Sequence, residues 1–230
     1  MANRWLTPWA LWDEALSKWL LAGKDDPLIP SWEFPNRSGA VPIVTNTDGK
    51  VVNVEHLQSI LAAAADVIDA GEALNAALPI TFTLAAQPDV PRTISLEFVS
   101  HAQITAYTLT ITGVDAKGAT VTETFTEADG WALETSNAYA TITSIIMSAR
   151  TGTGAGDTMN VGIASKVGLA GFLSAITDVF KVVKSAAAGN AADYSGATNV
   201  TPETDYDTVD LSTGAAIVDG DKFTIYYLAS

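Results

Sequence analysis

The stretch Thr108-Leu-Thr-Ile-Thr-Gly-Val-Asp-Ala-Lys-Gly-Ala-Thr-Val-Thr-Glu-Thr-Phe-Thr126 decides the fold class. Threonine alternates with other residues on both sides of Asp115–Gly118, a segment with the composition of a tight turn. A period of two is typical of strands that bury one face. The stretch therefore predicts a β-hairpin built from two threonine-striped strands.

The same alternation recurs along the rest of the chain and predicts further strands. Turn residues separate these runs at Asp129-Gly130, Thr151–Gly156 and Asp219-Gly220. In the run Tyr139–Ser148, we expect Ile142 and Ile146 on one face of the strand and Ile145 and Met147 on the other face. The runs are Ile80–Leu84, Thr93–Phe98, Tyr107–Thr112, Tyr139–Ser148, Thr158–Ile163, Asp178–Lys184 and Lys222–Leu228. Together they predict a mainly β fold, an antiparallel β-sandwich or β-barrel over residues 39–230, and the sandwich is the architecture that we expect.

One short helix is predicted inside this domain, over residues 54–70. Asn53 is a suitable N-cap, and Gly71 is suited to the position after the last turn. The apolar residues that would share one helical face are Leu57, Ile60, Leu61, Ala64, Val67 and Ile68.

Residues 1–38 differ in composition and are predicted to form a separate N-terminal arm. Five of the six tryptophans fall in this arm, and four of them, Trp5, Trp9, Trp12 and Trp19, have the spacing of one stripe on a helix over residues 8–22. A proline-rich, extended connector follows up to residue 38.

The arm carries the predicted partner-binding residues. These are Trp5, Trp9, Trp12 and Trp19 on the helix, with Trp32 and Phe34 as anchors on the connector. Large aromatic side chains on a rigid stripe are typical anchors of protein interfaces. The same stripe is compatible with packing on the chain's own sandwich, and less well with binding to a membrane surface.

The composition excludes several classes of function. Lys and Arg number 12 against 26 Asp and Glu, a net charge of −14. A surface that binds phosphates or anionic lipid needs clustered cations, so we expect neither nucleic acid nor a membrane as partner. The chain has no cysteine and only two histidines, so we predict no metal and no cofactor. No signal peptide or membrane helix is recognisable, and we expect a soluble protein made in the cytoplasm.

Catalytic patterns are weak, and we predict no catalytic residues and no enzyme activity. Ser100 and His101 are adjacent on a predicted strand, where neighbouring side chains point to opposite faces. The glycine-rich loop Gly152–Gly156 is followed by Asp157, whose charge would repel a phosphate, so we interpret the loop as a strand connector.

An acidic segment near the C-terminus contains Asp205, Asp207 and Asp210. It is interpreted first as a solvated acidic loop. A cation site and a glycosidase-like carboxylate pair formed by Asp205 and Asp207 remain alternatives.

Several short motifs resemble, in the same order, a pattern found in virion structural proteins of tailed bacteriophages. The first is Gln87-Pro-Asp-Val-Pro-Arg92, which precedes an alternating strand. The others are Thr108–Gly118 with Thr120–Thr124, Ala140–Ile145, Gly156–Gly162 and Lys166–Leu169. The resemblance covers about eighty residues, from Gln87 to Leu169.

This resemblance implies a head decoration (cement) protein or head fibre, with a β-sandwich that binds the outer surface of the capsid. The major capsid protein would be its partner, the virion exterior its location, and a trimer its assembly. It supplies no active-site residues. The alternatives are a carbohydrate-binding or adhesion module of a phage tail or fibre and, third, a hydrolase that uses the Asp205/Asp207 region.

Overall fold

The computed structural model describes residues 6–7, 10–13, 18–21, 51–185, 191–194, 199–212 and 217–229. The first strands are β1 (Leu6–Thr7), β2 (Ala10–Asp13), β3 (Lys18–Leu21), β4 (Val51–Ile60), β5 (Ala64–Ala73), β6 (Ile80–Thr81), β7 (Arg92–Ser100), β8 (Ile104–Asp115) and β9 (Thr120–Thr126). They are followed by β10 (Ala132–Glu134), β11 (Tyr139–Gly152), β12 (Thr158–Gly168), β13 (Val179–Ser185), β14 (Ala191–Asp193), β15 (Thr201–Glu203), β16 (Thr208–Asp210) and β17 (Asp221–Ala229). Two single-turn 3-10 helices, Glu127–Asp129 and Ile176–Asp178, complete these elements.

The predicted mainly β, antiparallel fold is confirmed. The largest sheet has ten strands in the order β15-β16-β12-β7-β11-β8-β9, with β5 added on β12, β6 on β11 and β10 on β7. A second sheet has the order β14-β13-β17-β4. Each pair of described strands is antiparallel.

The predicted hairpin is formed by β8 and β9. The hydroxyls of Thr110 and Thr112 lie 3.1 Å from those of Thr124 and Thr122 on the facing strand, so the threonine stripes form hydrogen-bonded rungs. In the turn, the carboxylate of Asp115 accepts the N–H groups two and four residues ahead. Because the Asp115 side chain accepts hydrogen bonds from the backbone of its own turn, the hairpin can be predicted from the local sequence.

The alternating apolar residues form the first of two cores. Strands β7 and β12 and strands β8 and β11 contribute to the same buried cluster. Its fully buried members include Ile94, Leu96, Leu109, Ile111, Ile145, Met147, Met159 and Val161. The period of two therefore correctly predicted which face of β7, β8 and β12 is buried.

Strand β11 departs from the alternation that we predicted for it. Ile142, Ile145 and Met147 are all buried, and Ile146 is half-buried. The pairing of β11 with β8 shifts register between Ile142 and Ser144. An extra residue in one strand reverses the side-chain alternation beyond it, so the bulge brings Ile142 to the face that Ile145 occupies.

The predicted helix over residues 54–70 is wrong, because this segment forms β4 and β5. Leu57 and Ile60 enter the second core, whereas Ile68 enters the first. The apolar residues that fit one helical face are thus divided between two cores. The pairing of β4 with β17 and of β5 with β12 overrides the local helical pattern.

The N-terminal segment is extended wherever the structure describes it. Strands β1, β2 and β3 form an antiparallel meander in which Trp12 lies opposite Trp19. At residues 10–13 and 18–21 the structure has strands where a helix over residues 8–22 was predicted, and the other residues of that span lie outside the described ones. Trp5, Trp9, Trp32 and Phe34 lie outside the described residues, as do the connector and the boundary at residue 38.

The second core joins the smaller sheet to the end of β12. Leu57, Phe223 and Tyr227 from that sheet pack with Val167 of β12 and Val209 of β16. Since Met159 of β12 lies in the first core, one strand connects the two clusters.

The segment Gln87–Arg92 connects the strands at the junction of the two cores. Gln87 accepts the N–H of Ile142 at 2.7 Å and donates to its carbonyl at 3.2 Å, which satisfies the backbone at the bulge. The fully buried guanidinium of Arg92 donates from Nε to the Ala164 carbonyl at 2.8 Å and from Nη1 to the Leu61 carbonyl at 2.7 Å. Asp89 Oδ1 lies 3.4 Å from the same guanidinium.

We predict that Arg92→Met lowers the free energy of unfolding by about 3 kcal/mol, because it removes a fully buried guanidinium that donates to the carbonyls of Ala164 and Leu61 and pairs with Asp89. The matched control is Arg150→Met. Arg150 also donates to backbone carbonyls, but it is only half-buried. Urea unfolding followed by circular dichroism measures both variants, and equal losses would contradict the assigned role of Arg92.

Candidate interaction surface

An open groove of about 470 Å³ lies beside β10, β12 and β15. Its lining combines charged, hydroxyl and apolar side chains, among them Glu134, Lys166, Ile176, Glu203, Asp205 and Tyr206. Glu134 is at the end of β10, Lys166 is in β12 and Glu203 is at the end of β15. Strand pairing therefore fixes the backbone on which three of the four charged groups are carried.

Lys166 sits in a negative field. Its Nζ lies 2.7 Å from Glu203 Oε1. Burial alone would lower the pKa of Lys166, but the hydrogen bond and charge of Glu203, with the charges of Glu134 and Asp210, outweigh burial and raise that pKa above its ordinary value. The groove therefore favours positive charge.

The carboxylates of the groove are held by neighbouring hydroxyls. Thr93 Oγ1 donates to Glu134 Oε1 at 2.7 Å, and Thr208 Oγ1 donates to Glu203 Oε2 at 3.1 Å. Thr93 and Thr208 are themselves fully buried. These contacts restrict the two carboxylates before any ligand arrives.

The turn that bounds the groove is locked by Asp207. This residue has a positive φ of 52°, and its buried carboxylate accepts the Leu173 N–H at 2.7 Å and lies 3.0 Å from Lys117 Nζ. A buried carboxylate that is paired with an ammonium and also satisfies a backbone donor is costly to leave without these partners. The interpretation of the whole segment as a solvated acidic loop is therefore wrong at Asp207, although Asp205 is exposed.

Large apolar side chains are exposed next to this turn. Phe172 is 56% exposed, Ile176 62% and Tyr206 42%. The ammonium of Lys117 lies 5.0 Å from the centre of the Phe172 ring, so the ion pair with Asp207 also supports Phe172. We call Phe172, Ile176 and Tyr206, together with the groove, the interaction surface.

A partly buried chain of hydrogen bonds fixes the loop that carries Phe172. Tyr227 Oη donates to Glu55 Oε2 at 3.1 Å and accepts the Gly171 N–H at 3.0 Å. The Ala170 N–H donates to the same Glu55 oxygen at 3.3 Å. The loop is therefore attached to strands β4 and β17 immediately before Phe172.

The interaction surface was missed in the sequence. The available signal was local and covered only part of the surface, since Tyr206 stands in the otherwise polar segment Glu203–Asp207. Only the folded chain places these two segments on either side of Lys117 and Asp207, since residues 117, 172 and 207 are far apart along the chain.

The weak catalytic patterns have separate structural roles. Ser100 donates to the buried carboxylate of Asp157 at 3.2 Å, while the ring of His101 stacks on Trp131 at a centroid distance of 4.0 Å. The loop before Asp157 connects β11 to β12, as predicted.

The carboxylates of the acidic segment also have separate partners. Asp210 accepts hydrogen bonds from the hydroxyls of Ser165 and Ser212, whereas Asp207 faces Lys117. Among the described residues, no three histidine or carboxylate side chains come together in a way that could hold a metal ion.

The fold and the site define a class of protein: a mainly antiparallel β protein with a partly apolar, partly anionic exposed surface. No family model matches the chain, and neither a curated protein nor a solved structure matches it. A search of the described helices finds none that is long and apolar enough to cross a membrane.

We predict that Glu55→Gln changes how stability depends on pH. Burial raises the pKa of Glu55 above 4.5, although the hydrogen bonds from Ala170 and Tyr227 and the charge of His56 oppose the rise. The folded state therefore binds this proton more tightly than the unfolded state. The contribution is fully present below pH 4.5 and is lost as the pH rises through the folded-state pKa.

Urea unfolding between pH 4 and 7 checks this prediction. The stability of the wild type should fall with rising pH relative to Glu55→Gln, which stays neutral throughout. Glu97→Gln, at an exposed position of β7, is the matched control and should follow the wild-type profile. Parallel profiles for the wild type and Glu55→Gln would contradict the prediction.

Proposed function

We propose that the chain is a structural protein of a tailed-phage virion that binds the outer surface of the capsid as a decoration (cement) protein. The observation that carries the proposal is the interaction surface. It combines exposed Phe172, Ile176 and Tyr206 with a turn locked by the Lys117–Asp207 pair. Exposed aromatic residues on a rigid support are typical of protein interfaces. The proposed action is non-enzymatic and stabilises the shell through protein–protein contacts.

A β-sandwich is the architecture that we propose for the larger sheet. Its β7–β12 part and its β8–β11 part contribute to one core, and a single residue pair, Tyr139 with Arg92, connects β7 to β11. Two layers that share buried faces and are joined at one edge are consistent with a sandwich.

The resemblance to phage virion proteins supports the viral part of the proposal. Its motifs fall in chain order on the segment before β7, the β8–β9 hairpin, β11 and β12, and these strands all belong to the larger sheet. Gln87 and Arg92 of the first motif contact β11 and β12 directly. Most of the motifs thus contribute to the first core, whereas Val167 and Leu169 of the last motif pack in the second core.

The remaining parts of the proposal rest on the sequence. The Trp-rich arm would contact the shell or a neighbouring copy, and a trimer follows from the resemblance only. An exterior with a net charge of −14 would limit adhesion to the viral genome during assembly in the host cytoplasm.

A second candidate function is saccharide binding by a tail or fibre module. The exposed ring of Tyr206 in a groove with carboxylates and a lysine favours it, because sugar recognition uses aromatic faces and charged hydrogen-bonding groups together. A glycan array with the full chain distinguishes it from capsid binding.

We predict that Phe172→Ser combined with Ile176→Ser weakens binding to capsid shells that lack this protein by about thirtyfold or more, since removing two interface anchors costs about 2 kcal/mol. Co-sedimentation measures the binding. The control is Val99→Ser with Val218→Ser, because these valines are 57% and 60% exposed and do not line the groove. Unchanged binding of the first variant, or equal loss in the control, would count against the proposed surface.

We also predict that deleting residues 1–38 reduces binding to the same shells, because the tryptophans of the arm would bury apolar surface worth roughly 25 cal/mol per Å². The unfolding transition of the shortened chain serves as the control for folding. If the shortened chain is folded and its binding is undiminished, the arm has no role at the capsid.

A further inference from the structure

We propose that the groove binds the guanidinium group of an arginine presented by the protein partner. This inference rests on the proposed function, because it specifies the chemistry of the partner's contact.

The charge of the groove favours a cation. Its lining contains three carboxylates, Glu134, Glu203 and Asp205, against one ammonium, Lys166. Lys166 is already paired with Glu203 at 2.7 Å, so Glu134 and Asp205 are the charges that a ligand would have to balance. An added anion would meet net repulsion, and an added cation would meet attraction. The raised pKa of Lys166 reports the same negative field.

The apolar part of the lining favours arginine over lysine. Tyr206 is 42% exposed, and Ile176 offers an exposed aliphatic side chain beside it. A guanidinium stacks on an aromatic face and forms paired hydrogen bonds with a carboxylate, whereas a lysine ammonium acts as a hydrated point charge. Arginine paired with tyrosine is also a frequent combination at interface hot spots.

Two of the three carboxylates of the groove are held in place before binding. Thr93 and Lys166 already hold Glu134 and Glu203, and the Asp207 turn fixes the backbone next to Tyr206. Groups that are already positioned lose little conformational entropy when a partner arrives. The net charge of −14 would further attract a basic surface over distances of about a Debye length.

An NMR titration of the isotope-labelled full chain tests the inference. The probe is the peptide acetyl-Gly-Gly-Arg-Gly-Gly-amide, and its control is the same peptide with citrulline, the uncharged isostere of arginine. We expect the arginine peptide alone to shift the backbone amides of residues 134–136 and 203–206. The combined variant Glu134→Gln with Asp205→Asn should weaken its binding about tenfold, which corresponds to the loss of one charged hydrogen bond.

The matched control variant is Asp66→Asn with Glu127→Gln, which removes two exposed carboxylates outside the groove. It should bind the arginine peptide as the wild type does. Equal shifts with citrulline, an equal loss in the control variant, or no shift at these amides would overturn the inference. If maltose, cellobiose or galactobiose shifts these amide signals and the arginine peptide does not, the inference is overturned in favour of saccharide binding.

The two proposals fail in different ways. If the wild-type chain does not co-sediment with capsid shells but the arginine peptide shifts the groove amides, the capsid function is wrong and the arginine site stands. If the chain co-sediments and the peptide does not bind, the arginine site is wrong and the capsid function stands.

Discussion

The guanidinium group of Arg92 lies where the two cores meet, and the arrangement of the strands depends on it. It donates to the carbonyl of Ala164 in β12 and to that of Leu61, between β4 and β5. Arg92 itself pairs with Tyr139 and with Val167, so its backbone connects β7 to β11 and to β12. A fully buried charge is tolerated only when its donors are used, and this requirement fixes the relative positions of these segments.

The interaction surface depends on this framework. Strand β12 continues from the first core into the second and carries Lys166 to the groove, and β15 and β16 extend the sheet beside it. The loop with Phe172 is attached to the smaller sheet through Glu55 and Tyr227, and to the Asp207 turn through Leu173. Exposed apolar residues are thus held on a rigid base by buried polar contacts.

Much of the larger sheet could be predicted from the sequence. The alternation in β7, β8, β9 and β12 is local and was correctly interpreted, because one face of each strand is more buried than the other. The prediction of a helix over residues 54–70 was wrong, because the spacing of its apolar residues fits both one helical face and two strands that enter different cores. The bulge at Ile142 was not predicted, because it depends on a contact that is distant in sequence. The backbone N–H of Ile142 donates a hydrogen bond to the side chain of Gln87.

The sequence by itself determined the mainly antiparallel β class, the β8–β9 hairpin, its turn and the excess of negative charge. These follow from residue type and from spacing within a few positions, so they need no knowledge of distant contacts. Only the tertiary structure decided that Lys117, Phe172 and Asp207 meet, and that three carboxylates and Tyr206 share one groove. Each of these contacts joins segments whose separation along the chain is set by the pairing of strands, and no local pattern encodes that pairing.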